Sequence, residues 1–442
     1  MKTQNNHNKL VQLIVSLIQL VAEINTLRPD SYIQDTVVFQ DEEHKTHAHT
    51  VASRSTGDEG SWIFTDREKP KWDEVVRKLC DLNPKIVSPR KVDDMLYKFT
   101  SQYFHKQWSL SGLRQDAEAL ISSIGNEQGR TAKVFLPIWG LITRVSPFVI
   151  GEVDFKARRE CPEVEEKLAK FESALQVAEW GKIHTIAQTE SSGVDDMLRQ
   201  NAEVKVNRAL NIFRAFTQPI VQDPAFKQIG IMGTFYTSEA LYWVEGPRVS
   251  TGVLPRLLSG GYVSSGVSDR LISQYLAEYV LADQGFYKVS DFLKAPPKGL
   301  KGGLLRGAEW LGEATKPDTL ESKFLKVAFA VDAMVGEVAE DIPDRGKKAR
   351  IAERSAFLLS DEPSERLQIY KEMRDFINKR DGLAHGSEEE VSQWETENFG
   401  MRARKLLTTL LRDDYNFKTT KQLADWVLLQ SFNNGSELDT SA

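Results

Sequence analysis

The stretch Asp318-Thr-Leu-Glu-Ser-Lys-Phe-Leu-Lys-Val-Ala-Phe-Ala-Val-Asp-Ala-Met-Val335 is where the chain turns to nearly pure helical pattern. Leu320, Phe324, Val327, Ala328, Val331, Met334, Val335 and, just beyond, Val338 recur at spacings of three and four, which places them on one face of a helix. Asp318 and Glu321 have the spacing of a capping box, with Pro317 ahead of them. A second helix is predicted over 347–359. A third begins at Pro363, which is tolerated in a first turn where its missing N–H would go unpaired anyway. Its buried side is Leu367, Tyr370, Met373, Phe376 and Ile377, and Gly382 is the expected terminator. A fourth runs over 388–411, acidic at its start and basic near its end, as the helix dipole favours. Four helices with short connections predict an antiparallel bundle.

Working back from this bundle, the 442 residues exceed one small core and suggest two or three domains. A hydrophobic fraction of 41% with 27% charged residues is that of a soluble globular protein. Cys80 and Cys161 are far apart and form no disulfide framework, which points to a cytoplasmic protein. Residues 10–27 are the one stretch resembling a membrane segment. Gln12, Ser16, Gln19 and Glu23 draw a polar stripe along it, so an amphipathic helix packed on protein is expected and no membrane span.

Residues 30–66 read as polar and turn-rich, with an exposed loop over 53–61. Helical pattern returns over 72–82 and 92–123, and a polar break follows at 126–130. Residues 132–140 and 148–155 read as strands, being β-branched and aromatic between Pro and Gly. Helices are predicted over 162–180 and 194–216, and a further strand-like piece over 229–244. Residues 246–266 are rich in Gly, Ser and Pro. Ala295-Pro-Pro-Lys-Gly-Leu-Lys-Gly-Gly303 is the expected linker. The resulting fold class is α+β. An N-terminal mixed helical region covers 1–126, an α/β region ending in the linker covers 127–316, and the helical bundle covers 317–431.

The third bundle helix ends in Asn378-Lys-Arg-Asp-Gly-Leu-Ala-His-Gly386. Arg380 and His385, with four residues between them, join a permanent cation to a group that titrates near neutrality. That combination suits cleavage of an RNA phosphodiester. The imidazole can move a proton to or from a 2′-hydroxyl, and the guanidinium can hold phosphate oxygens. The plain structural reading is that Arg380 caps the helix and His385 is a loop residue.

Three segments in order carry a resemblance: Lys323-Phe-Leu-Lys-Val-Ala-Phe-Ala-Val-Asp-Ala-Met334, Ile351-Ala-Glu-Arg-Ser-Ala-Phe-Leu-Leu359, and Arg380-Asp-Gly-Leu-Ala-His-Gly386. Together they resemble the HEPN superfamily in its Apea-like branch, over residues 317–415. The resemblance implies an all-helical, dimerising, metal-independent ribonuclease without a cofactor, of a kind found among toxins and in bacterial defence against phage. Arg380 and His385 match the family's catalytic pair. Asp332 falls where many relatives place an acid that orients the motif. Asp381 departs from the asparagine common after the arginine. It can neutralise the guanidinium or repel phosphate, and it can equally orient His385.

Arg345, Lys347, Lys348, Arg350 and Arg354 form a basic run into the second bundle helix. Residues 318–415 hold 16 basic against 21 acidic residues, so this run is the expected phosphate-contact surface. His47 and His49 would share one face of a strand near His44, but the three read as an exposed polar cluster. The aromatics over 235–243 read as sheet core ahead of base-stacking groups. No phosphate-binding loop, dinucleotide fingerprint, zinc finger or serine-hydrolase elbow is present. A net charge of −6 argues against a general nucleic-acid coat but not against an enzyme gripping one phosphate. Two expectations remain: an RNA-cleaving homodimer whose first 316 residues sense a phage-derived or other protein trigger, and a non-catalytic module that dimerises or binds RNA or nucleotide.

Overall fold

The computed structural model describes residues 2–26, 36–40, 46–50, 52–54, 62–64, 69–103, 109–162, 164, 184–194, 196–221, 228–231, 239–245, 250–255, 270–337, 346–387, 389–415 and 417–433. They form a mixed α+β protein of two compact units. One comprises Met1–Thr131 with Ser191–Asn201, and the other Ala132–Glu190 with Ala202–Ala442. These boundaries differ from those expected at 126 and 316.

In the first unit, helix α1 (Lys2–Thr26) leaves Gln12, Ser16 and Gln19 exposed and buries Leu10, Ile14, Leu17, Ile18 and Val21. The polar stripe is thus the solvent side of an amphipathic helix. Among the described residues no helix is long and apolar enough to cross a membrane. Helices α2 (Lys69–Cys80), α3 (Pro89–Ser101) and α4 (Leu110–Gly125) share a core with α1 that includes Trp72, Val92, Leu96, Leu113 and Ile121. Ser88 caps α3 by accepting from the Lys91 N–H.

The stretch expected to be loop carries two antiparallel pairs. Strand β1 (Thr36–Gln40) pairs with β2 (Thr46–Thr50), and β3 (Ala52–Arg54) pairs with β4 (Trp62–Phe64). Backbone pairing supplies what the polar composition does not advertise. His47 and His49 belong to β2, opposite Phe39 and Val37, while His44 lies outside the described residues.

The second unit is built on a sheet of order β12-β11-β5-β9-β8-β7, with β10 also paired to β5. Its strands are β5 (Arg130–Trp139), β7 (Phe148–Ile150), β8 (Val153–Ala157), β9 (Thr185–Gly193), β10 (Gly230–Ile231), β11 (Glu239–Glu245) and β12 (Ser250–Pro255). A separate parallel pair joins β6 (Leu141–Thr143) to β13 (Arg270–Ile272). The helix expected over 162–180 and the aromatics Phe235 and Tyr236 lie almost wholly outside the described residues. Phe148 and Phe155 of the sheet pack with Phe213 of α5 (Asp196–Thr217) and Phe286 of α6 (Phe286–Lys294).

The expected linker is largely helix. After Pro296 and Pro297, α7 spans Gly299–Ala314, and Gly302, Gly303, Leu304, Leu305, Gly307 and Ala308 are all buried in it. The glycines here permit close packing. A Cβ at Gly303 would strike the carbonyl oxygen of Ala333, and one at Gly307 would come within 2.5 Å of Met334 Cγ. Both contacts lie on α8 (Leu320–Val335), which buries Phe324, Val327, Ala328, Val331, Met334 and Val335 as expected. Its cap is Thr319, which accepts from the Ser322 N–H, and not Asp318, which instead pairs with Lys326.

The remaining helices are α9 (Lys347–Leu359), α10 (Pro363–Ala384), α11 (Gln393–Leu411) and α12 (Thr420–Asn433). On α10, Met373, Phe376 and Ile377 are buried as expected, whereas Leu367 is exposed and Ile369 takes its place. These helices are continuous with the rest of the unit. Buried Lys323 donates to the Ile220 carbonyl at 2.8 Å, Arg404 Nε donates to Ala215 at 2.7 Å, and the Val221 N–H donates to Glu397 at 2.8 Å. Fully buried Arg214 on α5 donates to Asn211 and Ile229, and Asn211 donates to Glu313 of α7 at 2.6 Å.

Candidate active site

The candidate site lies where three helix ends meet, and the end of α10 sets its shape. Gly382 does not stop this helix. A glycine inside a helix costs only about 1 kcal/mol relative to alanine, and the i→i−4 bonds continue through it. Helical geometry ends at Ala384, and the left-handed residue is Gly386, with φ of 78°. Its N–H donates to the Leu383 carbonyl at 3.2 Å, and the Ser387 N–H donates to Gly382 at 3.0 Å. This paired arrangement closes helix C-termini. His385 is therefore the C-cap residue, exposed to solvent, with its own N–H donating to Asp381 and Gly382. Five helical positions at roughly 100° each separate the Arg380 and His385 directions by about 140° around the axis.

Arg380 is mostly covered, its side chain 17% exposed, and Nη1 lies 2.9 Å from Asp381 Oδ1. Its Nε is inaccessible to solvent and has no hydrogen-bond partner among the described residues. Lys348, at the start of α9, reaches both Asp381 Oδ2 and Asn378 Oδ1 at 3.0 Å. The adjacent Lys347 holds Asp332 Oδ2 of α8 at 2.6 Å. The structure thus brings together Asp332, Lys347, Lys348, Arg380 and Asp381 from three separate stretches of sequence.

The basic run divides in two. Arg354 is buried and donates through Nη1 to the Val335 and Glu337 carbonyls, both at 2.7 Å, closing the end of α8. It closes a helix end from inside the protein, and its burial leaves little of the guanidinium exposed to a phosphate. Arg350 likewise donates to the Gly336 carbonyl, at 3.2 Å from Nε and 3.1 Å from Nη2. Lys347 and Lys348 remain half-exposed. Arg345 lies outside the described residues.

Sequence reasoning missed the clamp beside the motif. Ser392 and Glu395 form a capping box at the start of α11, and Glu395 Oε1 also binds Lys379 Nζ at 2.5 Å. The hydrogen bond from Lys379 chiefly holds the Glu395 carboxyl down to about 2. This pair ties α11 to the residue preceding Arg380. The Ser-x-x-Glu spacing was visible in the sequence as a helix start, but the partner on another helix was not.

The chain matches no protein-family model, no curated protein and no solved structure.

Proposed function

We propose that the C-terminal helices form a HEPN-type, metal-independent endoribonuclease that works as a homodimer, with RNA as substrate and the rest of the chain restraining or triggering it. The observation that carries this reading is the convergence just described. Arg380 stands in a cluster with Lys347 and Lys348, close in sequence to an exposed histidine at a helix end. In the proposed reaction the 2′-hydroxyl oxygen attacks the adjacent phosphorus and the bond to the 5′-oxygen breaks. The products are a 2′,3′-cyclic phosphate and a 5′-hydroxyl. One His385 accepts the 2′-hydroxyl proton, and its counterpart across a two-fold axis delivers one to the leaving oxygen. Arg380 and Lys348 offset the charge that builds on the phosphorane.

A second reading is favoured by the Arg380–Asp381 pair, which occupies the guanidinium group the reaction needs. In that reading the bundle binds RNA or nucleotide without cutting. Incubation of the full chain with total RNA in EDTA, followed by end-group analysis, separates the two. Cyclic phosphate termini are the expected result. Intact RNA bound by the protein would favour the second reading.

A further inference from the structure

An open cleft of about 620 Å³ lies between α7, the C-terminal end of α8 and the start of α9. That size falls within the roughly 300–1,000 Å³ typical of small-molecule sites. Its walls combine two features that rarely share a surface without use. Trp310 and Phe329 are 38% and 40% exposed, with ring centroids 5.2 Å apart and planes inclined at 56°. Around them stand Arg306, Lys347 and Arg350 with the carboxylates of Asp332 and Glu337; Lys347 pairs with Asp332 at 2.6 Å, and Arg350 donates to the Gly336 carbonyl. Leaving two large rings in water forfeits burial that either could gain by turning inward, and an apolar partner would not need an exposed arginine such as Arg306 beside them.

The geometry points to a nucleotide-binding subsite in this cleft. A base stacks on the exposed face of Trp310 or Phe329, and its phosphate is met by Arg306, with half-exposed Lys347 exchanging Asp332 for it. Aromatic faces accept any base, and cations supply phosphate affinity, the usual basis of sequence-tolerant binding to single strands. Arg306 is exposed and forms no ion pair among the described residues, so its charge is available to a ligand. The rings are carried by helices and held in place. Glu309, next to Trp310, pairs with Arg208 of α5 at 2.5 Å, and α8 is locked to α7 through Gly303 and Gly307. Lys347 lines the cleft and Lys348 holds the Asp381 that pairs with Arg380. Neighbouring lysines at the start of α9 thus link the cleft to the Arg380–Asp381 pair. The subsite extends the nuclease reading by one nucleotide, but its readout is binding and not cleavage, so the two can fail separately.

The test uses the full chain, with fluorescence anisotropy of a labelled short single-stranded RNA and calorimetric titration of ATP. Arg306→Glu and Trp310→Leu are each expected to weaken binding by about ten-fold or more with unchanged melting temperature. RNA binding without ATP binding assigns the subsite to a strand, and binding of both assigns it to free nucleotides as well. If Trp310→Leu unfolds the protein, Arg306→Glu alone decides, since that side chain is exposed and forms no ion pair among the described residues. Unchanged affinity in a folded Arg306→Glu variant, or no binding of either ligand by the parent, overturns the inference. A fall in molar mass by light scattering in the variants, with no change in ligand affinity, also overturns it and makes the cleft a contact between protein copies. RNA cleavage by the parent, with ligand affinity unchanged in both variants, removes the subsite and leaves the nuclease reading intact. Nucleotide binding lost in both variants, without cleavage by the parent, does the reverse.

Discussion

Arg380 and Asp381 are bound to each other: Nη1 of the guanidinium lies 2.9 Å from Oδ1 of the carboxylate that follows it in sequence. Lys348 holds the other oxygen of the same carboxylate at 3.0 Å. One acid thus engages two of the cations that the proposed reaction would turn toward phosphate. If restraint is its role, Asp381→Asn should raise the rate of RNA cleavage by releasing both, while keeping a hydrogen-bonding side chain of the same shape. Rates for the two proteins compared between about pH 5 and 8 decide the matter. A slower variant with a lowered pH optimum would show instead that Asp381 supports His385.

Arg380→Ala and His385→Ala are each expected to abolish RNA cleavage and leave the fold in place. His385 is exposed, so its truncation removes little packing. Arg380 is mostly covered, so its truncation costs some packing, but Asp381 stays paired to Lys348 and the fold is expected to persist. Cleavage assays run alongside thermal melts check both halves. A folded variant that cuts at the parent rate would remove the site assignment.

Glu395 gives a pH signature. Its carboxyl is lowered from the ordinary 4.5 to about 2, chiefly by the Lys379 hydrogen bond, so the folded chain binds fewer protons than the unfolded chain across that interval. Its stabilisation is fully present above about pH 4.5 and is lost as pH falls through about 2. Glu395→Gln should therefore melt below the parent at neutral pH, with the gap shrinking as pH is lowered toward 3. A gap that stays constant with pH would mean that the Lys379 contact contributes nothing.

Gly303→Ala should destabilise the protein even though alanine is the better helix former by about 1 kcal/mol. The added methyl meets the backbone of Ala333, which has no rotamer through which to yield. Lys301→Ala, on the exposed side of the same helix, is the control and should leave the melting temperature nearly unchanged. By the same contact, residues 317–431 alone should not fold, because they lack the α7 surface that covers α8. A cooperative melt of that fragment would show that the bundle is independent.

Much of the architecture follows from local pattern. The apolar spacing of α8, the limits of α9 at Lys347 and Leu359, the exposed stripe of α1 and the strand character within 132–140 and 148–155 are all written in neighbouring residues. The Arg380 and His385 positions were equally legible, since a motif at a helix end is a short-range feature. What only the tertiary structure decided is which residues meet from a distance. The glycines of α7 read as linker by composition and act as a packing surface, because their value depends on Ala333 and Met334 lying against them. Arg354 and Lys348 are indistinguishable as charges in a basic run, yet one closes the end of α8 from inside the core and the other reaches Asp381. Periodicity reports which face of a helix is buried, whereas the partner that satisfies a charge or admits a glycine is fixed only when another element is packed beside it.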